Sequence, residues 1–380
     1  MEVEIVKDFD RFLQWEDAWN SALLNSDTDS VFMRHEWFRC WWQAFGENCE
    51  MFVVIIKENN KVLGIAPLML RTIKRKGIPF KALTFISDAL SPRCNIILTD
   101  KYKETMKELV NILFNYSERY QFALLDNILE GAVATKELLG YFKNNRVNFI
   151  REEAWDSPFI KMEVGWDNYF KSLSSKHRYN LRRSKRLISE EGQLKTECIK
   201  DKKLLGSALE RCFEISKRSW KGPLGTDLGG KETRARFFRE LTKVGGTQDW
   251  VNIWFLGIGT EDMAFEYQLL YKGNVLLLAS DYDLKYARFS PGEVLTSLYV
   301  EQLFKEKYEE CDFSGTAYDY KLRWSNSVRK HIQLWIFNKR PSSKLFYLTK
   351  AKFLPSLRNL GNFIRKSEMT KDESALKPDN

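Results

Sequence analysis

Apolar positions recur along this chain in two periods, and their succession predicts strands and helices in alternation. Phe9 to Leu24 reads as a helix after a short N-terminal strand. Val31 to Phe45 reads as a second, aromatic-rich helix carrying Phe32, Trp37, Phe38, Trp41, Trp42 and Phe45. Met51 to Lys57 and Val62 to Arg71 flank the turn Glu58-Asn59-Asn60-Lys61 and read as a hairpin. Short strands at 83–86, 95–98, 122–125 and 148–150 then alternate with helices near 103–120 and 135–144. Asp156-Ser157-Pro158 marks a boundary.

Beyond it the pattern predicts a strand at 159–164, a helix at 166–173 and a basic helix at 175–191 that Gly192 stops. A strand (194–199) and a helix (202–220) lead into the glycine-rich loop KGPLGTDLGG. A further helix, 231–244, ends in this reading at Gly245-Gly246. Three strands follow at 250–258, 263–271 and 275–281, joined by the tight turns GTED and KGN. Ser290-Pro291-Gly292 is a helix start, with serine as N-cap and proline at the first helical position. That helix runs to about Lys307 and is followed by a strand at 311–315. In both halves a helix with a late tryptophan, Trp42 or Trp220, precedes a strand–turn–strand unit. The expectation is a duplicated α/β module, with domains at 1–158 and 159–338.

Composition narrows the class. Of 380 residues, 44% are hydrophobic and 14% aromatic, enough for two packed cores. No run of 18 apolar residues occurs, and MEVEIVKDFD lacks the basic-then-apolar pattern of a signal peptide. The reading is cytoplasmic. Cys40, Cys49, Cys94, Cys198, Cys212 and Cys311 are scattered, and His35, His177 and His331 stand alone, which argues against a disulfide framework, a zinc site or a histidine triad.

The net charge of +9 is local. Residues 171–186 hold seven Lys/Arg and no acid, and residues 339–366 hold eight more. Without those 15 the remainder has 45 basic and 51 acidic side chains. Two patches therefore suggest specific anionic partners. The tail 339–366 mixes its charges with Leu345, Phe346, Phe353, Leu357 and Phe363, an amphipathic pattern suited to peripheral contact with the inner membrane face. Residues 367–380 read as disordered.

Candidate chemistry gathers between Asn274 and Asn326, where Asp281, Asp283, Arg288 and Lys321 surround the helix start at 290–292. A helix N-terminus presents free N–H groups and the positive end of its dipole to an anion.

The hairpin strands, Arg178-Tyr179-Asn180-Leu181-Arg182-Arg183, Asp281-Tyr282-Asp283, Ser290-Pro291-Gly292, Asp312-Phe313 and Tyr320-Lys321 with Trp324 resemble the GNAT acyltransferase fold. The resemblance is most specific to the CelD-like branch associated with cellulose and other polysaccharide biosynthesis, itself similar to the tandem-GNAT FemABX peptidyl transferases. It implies an α/β (α+β) architecture of two tandem GNAT-like domains, the first degenerate, with mixed, mainly antiparallel sheets flanked by helices. It also implies direct acyl transfer from a thioester donor to an amine or hydroxyl of a sugar, amino acid or lipid intermediate. The donor would be acyl-CoA or an acyl carrier protein, with no permanently bound cofactor. The alternatives are aminoacyl transfer from tRNA, and a non-catalytic GNAT-like module binding an anionic partner.

In that family the donor lies in a V between two neighbouring strands. Its pyrophosphate rests on the turn and helix start after the first of them, which would be 275–283 here and gives Arg288, Ser290 and Gly292. The usual second small residue is missing after Arg288-Phe-Ser-Pro-Gly-Glu, so the donor stays open between acyl-CoA, a carrier protein and aminoacyl-tRNA. Arg178 and Arg182 continue as a basic stripe that suits cofactor phosphates, an acidic carrier, an anionic acceptor or an RNA backbone. No sequence-specific nucleic-acid signature accompanies it. Acyl transfer needs a base and an oxyanion stabiliser rather than a nucleophile, and GxSxG is absent. Asp281, Asp283 and Glu266 are the candidate bases, and Lys321 is the candidate for stabilising negative charge.

Overall fold

The computed structural model describes residues 1–353 apart from Lys76 and Ala89, so the expectations for 354–380 lie outside the described residues. The first half opens with β1 (Glu2–Val6), α1 (Phe9–Leu13), α2 (Glu16–Leu24) and the aromatic α3 (His35–Phe45). β2 (Cys49–Met51), β3 (Val53–Glu58), β4 (Lys61–Ala66), β5 (Leu68–Arg75) and β6 (Ile78–Phe85) follow, Pro67 separating β4 from β5 where one strand was expected. The half closes with β7 (Ile97–Leu98), α4 (Tyr102–Asn115), β8 (Phe122–Leu129), α5 (Val133–Asn144) and β9 (Asn148–Glu153).

The second half begins with β10 (Ser157–Lys161), α6 (Trp166–Ser172) and α7 (Ser175–Glu191), whose Ser174 cap accepts a hydrogen bond from the His177 backbone. β11 (Leu194–Ile199), α8 (Lys202–Lys217) and α9 (Glu232–Thr247) come next. Gly245 and Gly246 do not end α9. A Cβ on Gly245 would stand 2.4 Å from the Val251 side chain, so the glycine is there for close packing. Then come β12 (Val251–Ile258), β13 (Glu261–Tyr271), β14 (Asn274–Tyr282), α10 (Pro291–Lys305) and β15 (Glu310–Asp312). α11 (Asp319–Leu322), β16 (Ser327–Arg329), β17 (His331–Phe337) and α12 (Pro341–Leu348) complete the described chain.

Three sheets result, ordered β1-β3-β4-β7, β2-β5-β6-β8-β17-β9 and β11-β12-β13-β14-β15-β10-β16. Pairing is antiparallel except for β6 with β8 and β14 with β15. One strand crosses between the halves: β10 pairs with β15 and β16 of its own half, while β17 crosses back to pair with β8 and β9. Residues 331–337 thus belong to the sheet of the first half, across the expected boundary. The near-continuous apolar run Ile332 to Phe337 was the sequence signal for this buried strand, which the sequence reading passed over.

One core runs through both halves. α3 packs on α9, with the Trp37 and Phe237 rings 5.2 Å apart and edge-on, and Phe45 5.6 Å from Phe237. A second core lies on the other face of the β11–β16 sheet, beneath α7 and α10. α12, the start of the basic tail, lies on the six-stranded sheet, where Phe346 stacks on Phe122 at 5.1 Å. Leu345 remains exposed. Among the described residues no helix is long and apolar enough to cross a membrane.

Because the two halves share a core and β17 crosses from one to the other, denaturant unfolding should be one transition by fluorescence and by circular dichroism. Phe237→Ala, which removes the ring between α3 and α9, should lower stability by about 3–5 kcal/mol without splitting that transition. Two separate transitions would contradict a shared core.

Candidate functional site

β14 and β15 run side by side for only three pairs, Asn274 with Glu310, Val275 with Cys311 and Leu276 with Asp312. β14 then continues to Tyr282, while the other chain turns away at Ser314 and Gly315, both in the left-handed region at φ 50° and 57°. The two strands therefore part at their carboxyl ends, and a cleft opens beside the start of α10. Crevices of this kind are where open α/β sheets take ligands.

A bulge sets which groups reach each side. Tyr267 pairs with Ala279 but Gln268 pairs with Leu277, leaving Leu278 as an extra residue in β14. Ala264 and Leu277 face the core beneath α10, and Glu266 shares that face, whereas Phe265, Tyr267 and Ala279 face α8 and α9. Asp281 lies opposite Phe265 and turns to α8. The three expected bases are thereby divided between two faces rather than gathered on one.

Asp283 is held structurally. Its carboxylate accepts from Arg218 Nε at 2.6 Å and from the Lys285 backbone at 2.9 Å, closing the turn after β14. Asp281 accepts from Ser216 Oγ at 2.6 Å and faces Lys221 Nζ at 2.8 Å. Burial pushes its pKa up, and the Lys221 charge opposes that rise. Glu266 is more isolated: it is 6% exposed, and the Tyr299 hydroxyl stands 3.5 Å away. Burial raises its pKa well above the ordinary carboxylate value, and the strongest countercharge it feels is Lys321. Lys321 sits in the complementary environment. Burial lowers its pKa to about 8, against the pull of Glu266 and Asp312, and its amino group donates to the Ser314 carbonyl. Glu266 and Lys321 thus feel one another's charge without a direct ion pair, their pKa values pushed in opposite directions by burial, with Asp281 and Lys221 on the α8 side. Opposed perturbations of this sort mark sites of proton transfer.

The expected anion cradle is differently occupied. Ser290 does precede Pro291 as the N-cap of α10, but in a left-handed conformation and without a side-chain cap bond. Glu293, two residues on, places a carboxylate at the helix start, where it receives His177 Nε2 at 3.1 Å, Trp324 Nε1 at 2.9 Å and Arg323 at 2.7 Å. A Cβ on Gly292 would stand in ordinary contact with a Tyr282 ring carbon, at 3.9 Å. Arg288 turns outward to Glu191 at 2.8 Å and is 68% exposed. Arg178 donates to the carbonyls of Lys171 and Leu173 at the end of α6, and Arg182 covers the Phe170 ring. Of the five expected donor-binding residues, only Ser290 and Gly292 lie at the α10 start. The exposed basic positions of α7 are Lys176, Arg182, Arg183 and Arg186, followed at its end by the exposed Glu190 and Glu191.

Sequence reasoning passed over Ser216, Lys221, Tyr299 and Glu293, and also Arg93, whose guanidinium reaches Asp312 at 2.6 Å. Lys221 opens the glycine-rich loop KGPLGTDLGG, and that loop was the available signal. Arg93 carries none, because its partner lies 219 residues away.

Residues 175–322, from α7 through α11, match the model of an acetyltransferase (GNAT) domain. No curated protein matches the sequence of the chain. Among solved structures, the chain is similar to FemX at 10% identity, with TM-score 0.58 over 91% of this chain and 100% of that one. It is also similar to the C-terminal domain of a putative lysylphosphatidylglycerol synthetase from Agrobacterium fabrum (10% identity, TM-score 0.53, 90% and 97% covered). The L-PGS structure from Bacillus licheniformis matches at 11% identity and TM-score 0.52, over 92% and 98% of the two chains. The fold is therefore that of tandem GNAT-like proteins, with mixed, mainly antiparallel sheets flanked by helices.

The Glu266 environment makes a stability prediction with a definite sign. A carboxyl whose pKa is raised by folding binds its proton more tightly in the native state, so stability falls as pH rises from about 4.5 through the raised value. Glu266→Gln removes that loss. The variant should melt with the wild type near pH 4.5 and above it at neutral pH, as read by thermal melts across pH. A variant that melts lower at neutral pH would show Glu266 to be a stabilising ion-pair partner.

Proposed function

We propose that the protein is an acyltransferase that moves an acyl group directly from an activated donor to an amine or hydroxyl acceptor at the cleft between β14 and β15. The observation that carries this reading is a buried carboxyl, Glu266, with its pKa raised, and a buried amine, Lys321, with its pKa lowered, each acting on the other's charge beside the point where those strands part. The acceptor nitrogen or oxygen attacks the donor carbonyl carbon while its proton passes to the ionised form of Glu266, whose raised pKa makes it a stronger base than an ordinary carboxylate. The Lys321 ammonium stabilises the oxyanion that forms. Collapse breaks the bond to the leaving group, which recovers the proton from Glu266. No covalent enzyme intermediate is required, and proximity in the cleft supplies much of the rate. The resemblance to the CelD-like branch favours a saccharide, amino-acid or lipid intermediate as acceptor, and a thioester of CoA or of a carrier protein as donor.

A second reading has its own support. Glu293 and its three partners fill the start of α10, Pro291 offers no N–H there, and Arg288 is engaged by Glu191. A donor pyrophosphate is poorly served by that arrangement, while the exposed basic face of α7 suits a longer anionic donor such as aminoacyl-tRNA. The fold likeness to FemX and to a putative lysylphosphatidylglycerol synthetase agrees with this donor class.

Thermal-shift titrations with acetyl-CoA, longer acyl-CoAs and free CoA, beside tRNA-binding titrations, separate the two donors. Stabilisation by a CoA species supports the thioester reading, and a salt-dependent tRNA complex weakened by Arg183→Ala supports the other. With either donor, Glu266→Gln and Lys321→Met should each lower single-turnover transfer by about 100-fold or more. Only ionised Glu266 can take the proton, so transfer should rise with pH as that carboxyl ionises above the ordinary range, and it should fall as pH rises through about 8, when Lys321 loses its charge; Lys321→Arg should move that fall upward. Full transfer activity in both Glu266→Gln and Lys321→Met would remove the site from the chemistry.

A further inference from the structure

The chain of bonds that places the Lys321 amino group leads out of its own half. Lys321 donates to the Ser314 carbonyl. Ser314 is turned toward it by a left-handed backbone at φ 50°, which a non-glycine residue adopts only when its surroundings hold it there. What holds it is Asp312 Oδ1, which accepts from the Ser314 backbone N–H at 2.8 Å. The other oxygen, Oδ2, accepts from Arg329 at 2.8 Å and from Arg93 at 2.6 Å. Burial alone would raise the Asp312 pKa, yet these two guanidiniums hold it below the ordinary value, so it is a charged and oriented anchor. Arg329 lies near in sequence, on β16. Arg93 comes from the loop between β6 and β7 of the first half.

We propose that Arg93 is a positioning residue for Lys321, acting across the two halves through Asp312 and the Ser314 backbone to fix where the amino group stands at the cleft. The role as a catalytic aid rests on the acyl-transfer reading above; the placement of the amine does not. Two guanidiniums on one carboxylate oxygen lock the carboxylate plane, and that plane aims Oδ1 at the Ser314 N–H. With Arg93 gone, Arg329 alone leaves the plane free to rotate and the Ser314 turn free to relax. Lys321 then loses its fixed acceptor and meets a less neutralised Asp312. The other groups acting on it are Glu266 from β13, Lys221 from the loop after α8, and the rings of Tyr318 and Tyr320, over which its amino group lies. None of them contacts Arg93, so all stay constant in the comparison.

The test reads the amine directly. Wild type, Arg93→Met and Arg93→Lys are pulse-labelled with acetic anhydride from about pH 6 to about pH 10, and the Lys321 peptide is quantified by mass spectrometry. Wild-type labelling should have its midpoint near about 8. In Arg93→Met the midpoint should rise by about one unit, roughly tenfold less neutral amine at neutral pH, and Arg93→Lys should return it close to wild type. Turnover by Arg93→Met should fall with KM unchanged. Should that variant fail to fold, Arg93→Gln, which keeps a hydrogen-bond donor without the charge, carries the same expectation. An unchanged labelling curve in a folded Arg93→Met or Arg93→Gln protein overturns the proposal. A shifted curve in a protein that transfers no acyl group from any donor upholds the positioning and removes the acyl-transfer reading instead.

Discussion

Asp312 ends the parallel pairing of β14 with β15, and the rest of the site depends on that ending. Its carboxylate is occupied on one side by two guanidiniums and on the other by the Ser314 N–H, so the chain must turn where a regular strand would continue. The left-handed turn at Ser314 and Gly315 opens the cleft and supplies the carbonyl that receives Lys321. A buried ion pair rarely stabilises a fold by much on its own, because desolvation offsets the attraction. Here the ions specify a geometry instead: which strand stops, and where.

That geometry places opposite charges in an apolar setting without neutralising them fully. Asp283 and Asp281 have close cationic partners on the α8 side, Arg218 and Lys221. Glu266, on the other face, has a hydroxyl at 3.5 Å and only more distant charges. The bulge at Leu278 produces this division, because one extra residue in β14 reverses which side chains beyond it face α10. A carboxyl desolvated beside a lysine can change protonation state during a reaction, whereas one locked to arginine cannot do so readily. Glu266 is thus the better placed of the three candidates, although Asp281 and Asp283 stand out more clearly in the sequence.

Much of the fold was legible because local signals agreed with the final structure. The basic helix at 175–191 and the strand at 194–199 follow from capping residues, Gly192 and apolar spacing, and the Ser-Pro start of α10 was visible as well. The apolar run of β17 was legible too, but its place was not, since its partners lie in the other half and no turn signal joins them. Side-chain roles were less legible than elements. Arg288, Arg178 and Arg182 have the right charge at the right spacing, yet Glu191, the end of α6 and Phe170 take them up. Arg93 and Lys221 become part of the site only through tertiary contacts.

The central claim is that the cleft holds Glu266 in an environment that favours its protonated form. Infrared difference titration of the wild type against Glu266→Gln measures this directly, because the protonated carboxyl of one residue appears as a band absent from the variant. The account predicts a Glu266 band that persists well above the pH at which ordinary carboxylates ionise, and that weakens only on further rise of pH. A band lost near the ordinary glutamate value of about 4.3 would contradict it and return the search for the base to Asp281.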